Sequence, residues 1–186
     1  MPKVKIQKEE PTLLQIAQLG HPIIRATAKP VENISDPKIQ ELIDAMIVTC
    51  EDASGVGIAA PQVYEQVRLF IVASNPSARY PKAPKMKPTA MINPKITFAS
   101  DVFNKDWEGC LSIPGIRGLV PRHTTIKVEY FDREGKKQTK TFKDFVARIF
   151  QHEYDHLDGI VFLDRAESKD LITEKEYQKI LKKGAK

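Results

Sequence analysis

The chain has 186 residues and a formal net charge of +5; 41% of its residues are hydrophobic and 28% are charged. These values are typical of one globular domain. No apolar run approaches the roughly 18 residues that a membrane-spanning helix needs, and no apolar stretch follows the basic start. We therefore expect a cytoplasmic protein that has no secretory signal and does not bind a membrane.

The positive charge is concentrated at the two ends of the chain. Residues 1–8 contain three lysines, and residues 175–186 contain five lysines and one glutamate. The body between them is close to neutral and shows no internal repeat or linker. We therefore predict a single domain over residues 1–186 with basic flexible ends, and no sequence-specific binding of nucleic acid.

The sequence of the first two thirds of the chain predicts one helix followed by strands. A helix is expected over residues 36–54, because an aspartate cap precedes a proline at the first helical position and an apolar stripe follows. Strands are predicted at residues 67–73, 89–93 and 124–131 from runs of apolar or alternating residues. The proline-rich residues 75–88 are expected to form an exposed, irregular connection.

A second helix is predicted from a capping box at Thr141 and Asp144 to a stop at Gly159. Its apolar stripe consists of Phe142, Phe145, Ile149, His152 and His156. Because the two histidines continue the buried face, we expect a central helix whose histidines lie in a mostly apolar interior. A last amphipathic helix is predicted near residues 173–183.

The segment QHEYDH at residues 151–156 carries the strongest chemical signal. In a helix, His152 and His156 lie on one face and can bind one cation, while Glu153 reaches the water bound to that cation. A further ligand is needed, and Cys110 is the best candidate. A thiolate and two neutral imidazoles would leave one tetrahedral position open for water or substrate.

Two other classes of metallopeptidase fit this sequence less well. A metzincin-type peptidase would have a third histidine where the chain has Phe162. A thermolysin-like peptidase would recruit a downstream glutamate, but Glu174 and Glu176 lie on a lysine-rich surface helix. Cys50 falls on the apolar stripe of the first predicted helix, so we expect a buried core thiol there rather than a metal ligand.

Three separated segments resemble the signature motifs of the peptide deformylase family. They are residues 55–62 (GVGIAAPQ), 108–112 (EGCLS) and 151–156 (QHEYDH), and residues 19–25 also resemble the family's amino-terminal segment. The order and approximate spacing agree, so the resemblance covers about residues 15–165. It implies an α+β fold in which antiparallel strands pack around a central helix that carries the H-E-x-x-H motif.

The resemblance also implies an activity. Members of this family hydrolyse the N-formyl group of the initiator methionine of nascent peptides and release formate. The substrate would be an N-formylmethionyl peptide, encountered near the ribosome in the cytoplasm, with an organellar location after removal of a transit peptide left open. One divalent metal ion per chain is implied, with ferrous iron expected and zinc, nickel or cobalt able to occupy the site.

Site residues follow from the resemblance, motif by motif. Cys110, His152 and His156 would be the metal ligands, and Glu153 would be the general acid/base. The amide of Gln62 and the backbone N–H of Leu111 would stabilise the oxyanion. Substrate-binding positions would be Val56, Gly57, Gly109, Arg117, Phe145 and Ile149.

Three further residues near the motifs have less certain roles. Arg148 departs from the family, because many relatives have an apolar residue at this position, and we expect no direct role for it. Glu108 and Arg122 would pair to hold the ligand strand, or would form an exposed surface pair.

Two other classes of function remain open from the residues alone. A cysteine-nucleophile enzyme would use Cys110 with a histidine base, and it would survive removal of metal. A non-catalytic metal-stabilised module would bind metal without turnover, and Glu153 would then be merely structural.

Overall fold

The computed structural model describes residues 12–76 and 83–184. Within these ranges the chain forms three α-helices, α1 (Pro37–Asp52), α2 (Asp144–Leu157) and α3 (Glu174–Gly184). The predicted start of α1 is confirmed, because the Asp36 side chain accepts a hydrogen bond from the backbone N–H of Lys38 at 2.9 Å. This bond satisfies one of the donors that a helix start leaves without a partner.

The same ranges contain eight strands. In chain order these are β1 (Gly57–Ala59), β2 (Leu69–Ser74), β3 (Met86–Ala99), β4 (Phe103–Cys110), β5 (Ile113–His123), β6 (Thr125–Phe131), β7 (Lys137–Lys143) and β8 (Leu171–Thr173). They form a five-stranded sheet in the order β1-β2-β3-β6-β7 and a three-stranded sheet in the order β4-β5-β8. All pairings between these strands are antiparallel, so the predicted α+β class is confirmed.

The predicted strands are present, with one correction. β6 alternates as expected, and its buried residues are Ile126, Val128 and Tyr130. The prediction of an irregular stretch over residues 75–88 is wrong at its end, because β3 already begins at Met86. Pro88 is tolerated there because the ladder between β2 and β3 shifts register near this point, where a missing N–H costs little. Residues 77–82 lie outside the described residues.

Helix α2 lies between the sheets and packs against strands of both. Its predicted capping box is wrong: Thr141 lies on β7, and the chain enters the helix at Asp144, whose backbone has a φ of 47°. The predicted stop at Gly159 is confirmed. Gly159 has a φ of 70°, and a Cβ atom there would lie 2.4 Å from the carbonyl oxygen of Arg25. Only glycine combines this conformation with so close a neighbour.

The basic carboxyl end is helical as far as the structure describes it. Tyr177 of α3 is 5% exposed, so this side chain packs against the body, and the expectation of basic flexible ends stays a prediction. The amino-terminal basic residues 1–8 lie outside the described residues, and the single-domain organisation stays a prediction. Among residues 12–76 and 83–184, no helix has both the length and the apolar content needed to cross a bilayer.

Candidate metal centre

Two elements bring three candidate ligands together. Cys110 ends β4, while His152 and His156 lie one turn apart on α2. The ligand atoms of these three residues all lie within 4.8 Å of one another. The Cys110 Sγ and His156 Nε2 atoms are 3.3 Å apart. This group could hold one metal ion, as the spacing of the motif predicts.

The carboxylate of Glu108 orients the first histidine. Its Oε2 atom lies 2.9 Å from Nδ1 of His152, which leaves Nε2 of that ring for a metal. Although burial alone would lower the pKa of His152, its contacts with Cys110 and Glu108 raise this pKa well above the ordinary value. The same anionic groups would stabilise a divalent cation. Burial lowers the pKa of His156 well below its ordinary value, which favours the neutral form of the ring that a metal ligand needs.

Glu108 is itself held by two buried guanidinium groups. Arg122 donates to both of its oxygens at 2.9 and 3.0 Å, and Arg148 donates to Oε1 at 2.8 Å. Burial would raise the pKa of Glu108, but the charges and hydrogen bonds of Arg122 and His152 hold it well below its usual range. The Glu108–Arg122 pair is 4% exposed on each side, so the alternative of an exposed surface pair is wrong.

Arg148 has a structural position that the sequence did not suggest. Besides Glu108, its guanidinium donates to the carbonyl oxygens of Val120 at 2.8 Å and of Asn104 at 2.6 Å. It therefore ties α2 to β4 and β5, the two strands that lead into and out of Cys110. The side chain is only 8% exposed, so its charge is balanced inside the protein rather than by solvent.

Asp155 extends this network and was also missed from the sequence. It accepts hydrogen bonds from Arg122 at 2.6 Å and from Arg165 at 2.7 Å. Its position directly before His156 could have indicated a buried ion pair, because a carboxylate on a buried helix needs a partner of opposite charge. Arg122 therefore links the two carboxylates of Glu108 and Asp155, which fixes α2 relative to β4.

Glu153 is buried beside the ligand group. A Cβ atom at Gly57 would lie 2.4 Å from its Oε1 atom, so β1 passes directly against the carboxylate. Its Oε2 atom is buried, with no hydrogen-bond partner among the described residues. Burial raises the pKa of Glu153 to about 7. Such a group can accept and return a proton near neutral pH.

Gln62 and Leu111 border the ligand group on the other side. The Gln62 amide nitrogen lies 3.4 Å from Cys110 Sγ and 3.2 Å from Ser112 Oγ, and its oxygen accepts from the Ala59 N–H at 2.8 Å. The amide is therefore oriented with its donors toward the cysteine. Leu111 follows Cys110 directly and lines the same pocket as Gln62.

All of the remaining predicted site positions lie around one pocket. Its lining includes Cys110, His152 and Glu153 together with the six predicted substrate positions, Val56, Gly57, Gly109, Arg117, Phe145 and Ile149. His156 lies deeper and is 1% exposed. Trp107 and Glu174 also line the pocket but were not predicted as substrate positions. Glu174 reaches it through the pairing of β8 with β5, which the sequence pattern did not indicate.

The sequence of the chain also matches known proteins. A sequence model of the polypeptide deformylase family matches residues 13–171. The chain belongs to this family. It is 61% identical over 177 residues to peptide deformylase 2 of a Nostoc species, covering 95% of this chain and 99% of that relative. It is 44% identical over 154 residues to peptide deformylase 2 of Shewanella oneidensis, covering 83% of this chain and 84% of that relative.

Solved structures of the family share the fold. A class I type b peptide deformylase from Acinetobacter baumannii, solved with Met-Ala-Ser bound, has a TM-score of 0.82 and 43% identity, covering 83% of this chain and 99% of that chain. A peptide deformylase from Synechococcus elongatus in complex with actinonin has a TM-score of 0.75 and 34% identity, covering 98% of this chain and 90% of that chain. The expected family and its α+β fold are both confirmed.

Proposed function

We propose that the chain is a metal-dependent hydrolase that removes the N-formyl group from N-formylmethionyl peptides and releases formate. The observation that carries this proposal is the position of Glu153. Its buried carboxylate lies on α2 between two histidines that converge with Cys110, and one of its oxygens has no hydrogen-bond partner among the described residues. Burial of that oxygen without a partner would be costly for a purely structural glutamate.

Cys110, His152 and His156 would hold one divalent ion. When bound, such an ion supplies a Lewis acid that lowers the pKa of water and polarises a carbonyl oxygen. The one thiolate and two imidazoles suit ferrous iron, zinc, nickel or cobalt, and ferrous iron is the ion we propose. Glu108 supports His152 as a ligand, because its contact with Nδ1 of His152 leaves Nε2 of that ring for the ion.

Glu153 would act as the general acid/base. It would take the proton of the attacking water and later return it to the departing amine. Gln62 and the backbone N–H of Leu111 would donate hydrogen bonds to the oxyanion that forms on the formyl carbon. Loss of one such donor typically costs about 3 kcal/mol of transition-state stabilisation. The Gln62 Oε1 atom accepts a hydrogen bond from the Ala59 N–H, which orients the amide nitrogen for this role.

The methionine side chain would occupy the apolar part of the pocket. Val56, Phe145 and Ile149 line this part, and Gly57 and Gly109 let a substrate approach the backbone closely. Arg117 would bind the peptide at the outer wall. A relative from Acinetobacter baumannii was solved with the tripeptide Met-Ala-Ser bound. This supports a peptide that begins with methionine as the substrate class.

We also propose that the enzyme works in the cytoplasm and meets its substrate near the ribosome. The formyl group of a nascent peptide is accessible there as soon as the chain emerges. Both cysteines are free thiols, which suits a reducing compartment.

A chelation experiment tests the proposed function against its main alternative. The 3.3 Å contact between Cys110 Sγ and His156 Nε2 would also suit a thiol and a histidine base. Turnover of formyl-Met-Ala-Ser should disappear when the metal is removed by a chelator and return when ferrous iron is added under anaerobic conditions. Full activity after complete metal removal would instead favour a cysteine nucleophile. Metal binding without any turnover would favour a structural module.

A further inference from the structure

The hydroxyl of Ser112 lies behind the proposed oxyanion donor Gln62. Ser112 follows Cys110 by two residues and is 0% exposed. Its Oγ atom accepts a hydrogen bond from Gln62 Nε2 at 3.2 Å, which is the one side-chain hydrogen bond of Ser112 among residues 12–76 and 83–184. Gln62 and Cys110 line the pocket. Because the fully buried Ser112 cannot touch a substrate, an effect on turnover has to pass through a neighbour such as Gln62.

The partners of the Gln62 amide distinguish its two ends. Oε1 accepts a hydrogen bond from the Ala59 N–H at 2.8 Å, so the nitrogen lies at the other end of the amide. That nitrogen carries two hydrogens, and its neighbours are Ser112 Oγ at 3.2 Å and Cys110 Sγ at 3.4 Å. With one hydrogen bonded to Ser112, the second is directed toward Cys110 and the pocket.

One short stretch of chain fixes the backbones of both residues. The Ala17 N–H donates to the Gln62 carbonyl oxygen at 2.8 Å, and the Leu19 N–H donates to the Ser112 carbonyl oxygen, also at 2.8 Å. Ala17 is 0% exposed, so this stretch is anchored in the interior. Residues 17–19 thus hold the first motif beside the second. The bond between the Gln62 and Ser112 side chains spans a gap whose two sides are both fixed.

We propose that Ser112 is a positioning residue that orients Gln62 to stabilise the oxyanion. This inference rests on the proposed deformylase function. The terminal torsion of a glutamine side chain is soft, so the direction of its N–H groups depends on their partners. Negative charge on the formyl oxygen develops toward the transition state, and a donor aimed at that oxygen therefore lowers the barrier more than it strengthens substrate binding.

Removal of the hydroxyl by Ser112→Ala should lower kcat for formyl-Met-Ala-Ser by about three- to tenfold, the effect of one hydrogen bond. KM and bound metal should stay at the wild-type values, because Ser112 contacts neither substrate nor metal in this proposal. The matched control is Ser74→Ala. Ser74 is a second buried serine, 1% exposed, whose hydroxyl has no hydrogen-bond partner among the described residues. This control should retain the wild-type kcat.

A double-mutant cycle shows whether the effect passes through Gln62. Gln62→Ala alone should lower kcat by about 100-fold. If Ser112 acts by orienting Gln62, Ser112→Ala should lower kcat no further once Gln62 is alanine. A packing role would instead give the same fold-loss in both backgrounds, because independent effects add as free energies. Ser112→Gly removes the same hydroxyl and repeats the cycle, so the result does not depend on the folding of one variant.

The outcomes separate this inference from the proposed function. A wild-type kcat in the Ser112 variants, or an equal loss with and without Gln62, would overturn the inference, while turnover of formyl-Met-Ala-Ser by the wild-type enzyme still upheld the proposed function. Absence of that turnover from the metal-loaded wild-type enzyme would overturn both.

Discussion

A Cβ atom on Gly57 would lie 2.4 Å from a carboxylate oxygen of Glu153 and 2.8 Å from its Cγ and Cδ atoms. Strand β1 therefore passes so close to α2 that only glycine leaves the Glu153 side chain in place. The close approach of β1 restricts the direction of the carboxylate, while α2 places the Glu153 backbone between the two histidines. The first and third motifs of the sequence thus meet at one pair of residues.

The substitution Gly57→Ala should displace the Glu153 carboxylate without removing a ligand. A misplacement of about 1 Å in a reacting group can cost about 100-fold in rate, so we expect a loss of kcat of that order with the metal retained. Steady-state kinetics and metal analysis measure the two effects. The control is Gly55→Ala, whose new Cβ would meet its nearest neighbour, Cys50 Sγ, at 3.2 Å. Equal losses in both variants would argue against a specific effect on Glu153.

Removal of the Glu108 charge should weaken metal binding through His152. Hydrogen-bond partners of ligating histidines typically contribute about 10- to 100-fold to metal affinity, so Glu108→Gln should bind metal about 10- to 100-fold more weakly. It should also lower the free energy of unfolding by about 3 kcal/mol, because the buried Arg148 loses its counter-charge and Arg122 keeps only Asp155. Competition with a chelator and denaturant unfolding are the measurements.

The control for Glu108 is the exposed pair between Arg25 and Asp164. Its side chains are 46% and 40% exposed, so Asp164→Asn should cost at most about 1 kcal/mol and leave metal affinity unchanged. If Glu108→Gln bound metal as tightly as the wild-type protein, Glu108 would not orient His152 in the way described.

The two cysteines should respond differently to substitution by alanine. Cys110→Ala should lose metal and activity together, because it removes one of the three converging ligands. Cys50→Ala should keep both and cost about 1 kcal/mol of stability, since Cys50 is a packed core residue with 1% exposure. Elemental analysis of both purified variants decides this, and full occupancy in Cys110→Ala would remove that residue from the site.

The stability contributed by Cys50 should decline at alkaline pH. Burial, followed by the charges of Glu153 and Glu51, raises the pKa of the Cys50 thiol from 9.0 to about 12. A raised pKa in the folded state contributes stability below the unfolded value, and this contribution is lost as the pH rises toward the folded value. Above pH 9 the wild-type protein should therefore lose about 1.4 kcal/mol per pH unit relative to Cys50→Ala. Unfolding free energies of the two proteins at pH 8 and pH 10 measure it, and a constant difference would contradict the prediction.

The parts of the site that depend on local periodicity could be predicted from the sequence. The spacing of His152 and His156 on an apolar stripe specifies a buried helix face, and the alternation in β6 specifies which of its residues face the core. β4 and β7 were not predicted, because their polar sequences lack an apolar pattern and gain order from their neighbours in the sheet.

The parts that depend on pairing between distant segments could not be predicted. Glu174 reaches Arg117 only because three residues of β8 pair with β5. Arg148 is buried because four acceptors from β4 and β5 converge on it, and no local pattern records their positions. The resemblance to the family indicated the ligands, whereas the groups that hold them become apparent only from the packing of α2 against the hairpin of β4 and β5.

The substitution Glu153→Gln tests the central claim most directly. Glutamine keeps the size of the side chain but cannot accept the proton of the attacking water, and Glu153 is not one of the three converging ligands. The variant should therefore retain bound metal and the wild-type fold, while kcat for formyl-Met-Ala-Ser falls by at least about 100-fold. Metal analysis, unfolding and turnover are measured on the same preparation. Full metal occupancy with near wild-type turnover would contradict the account, because another group would then have to move the proton.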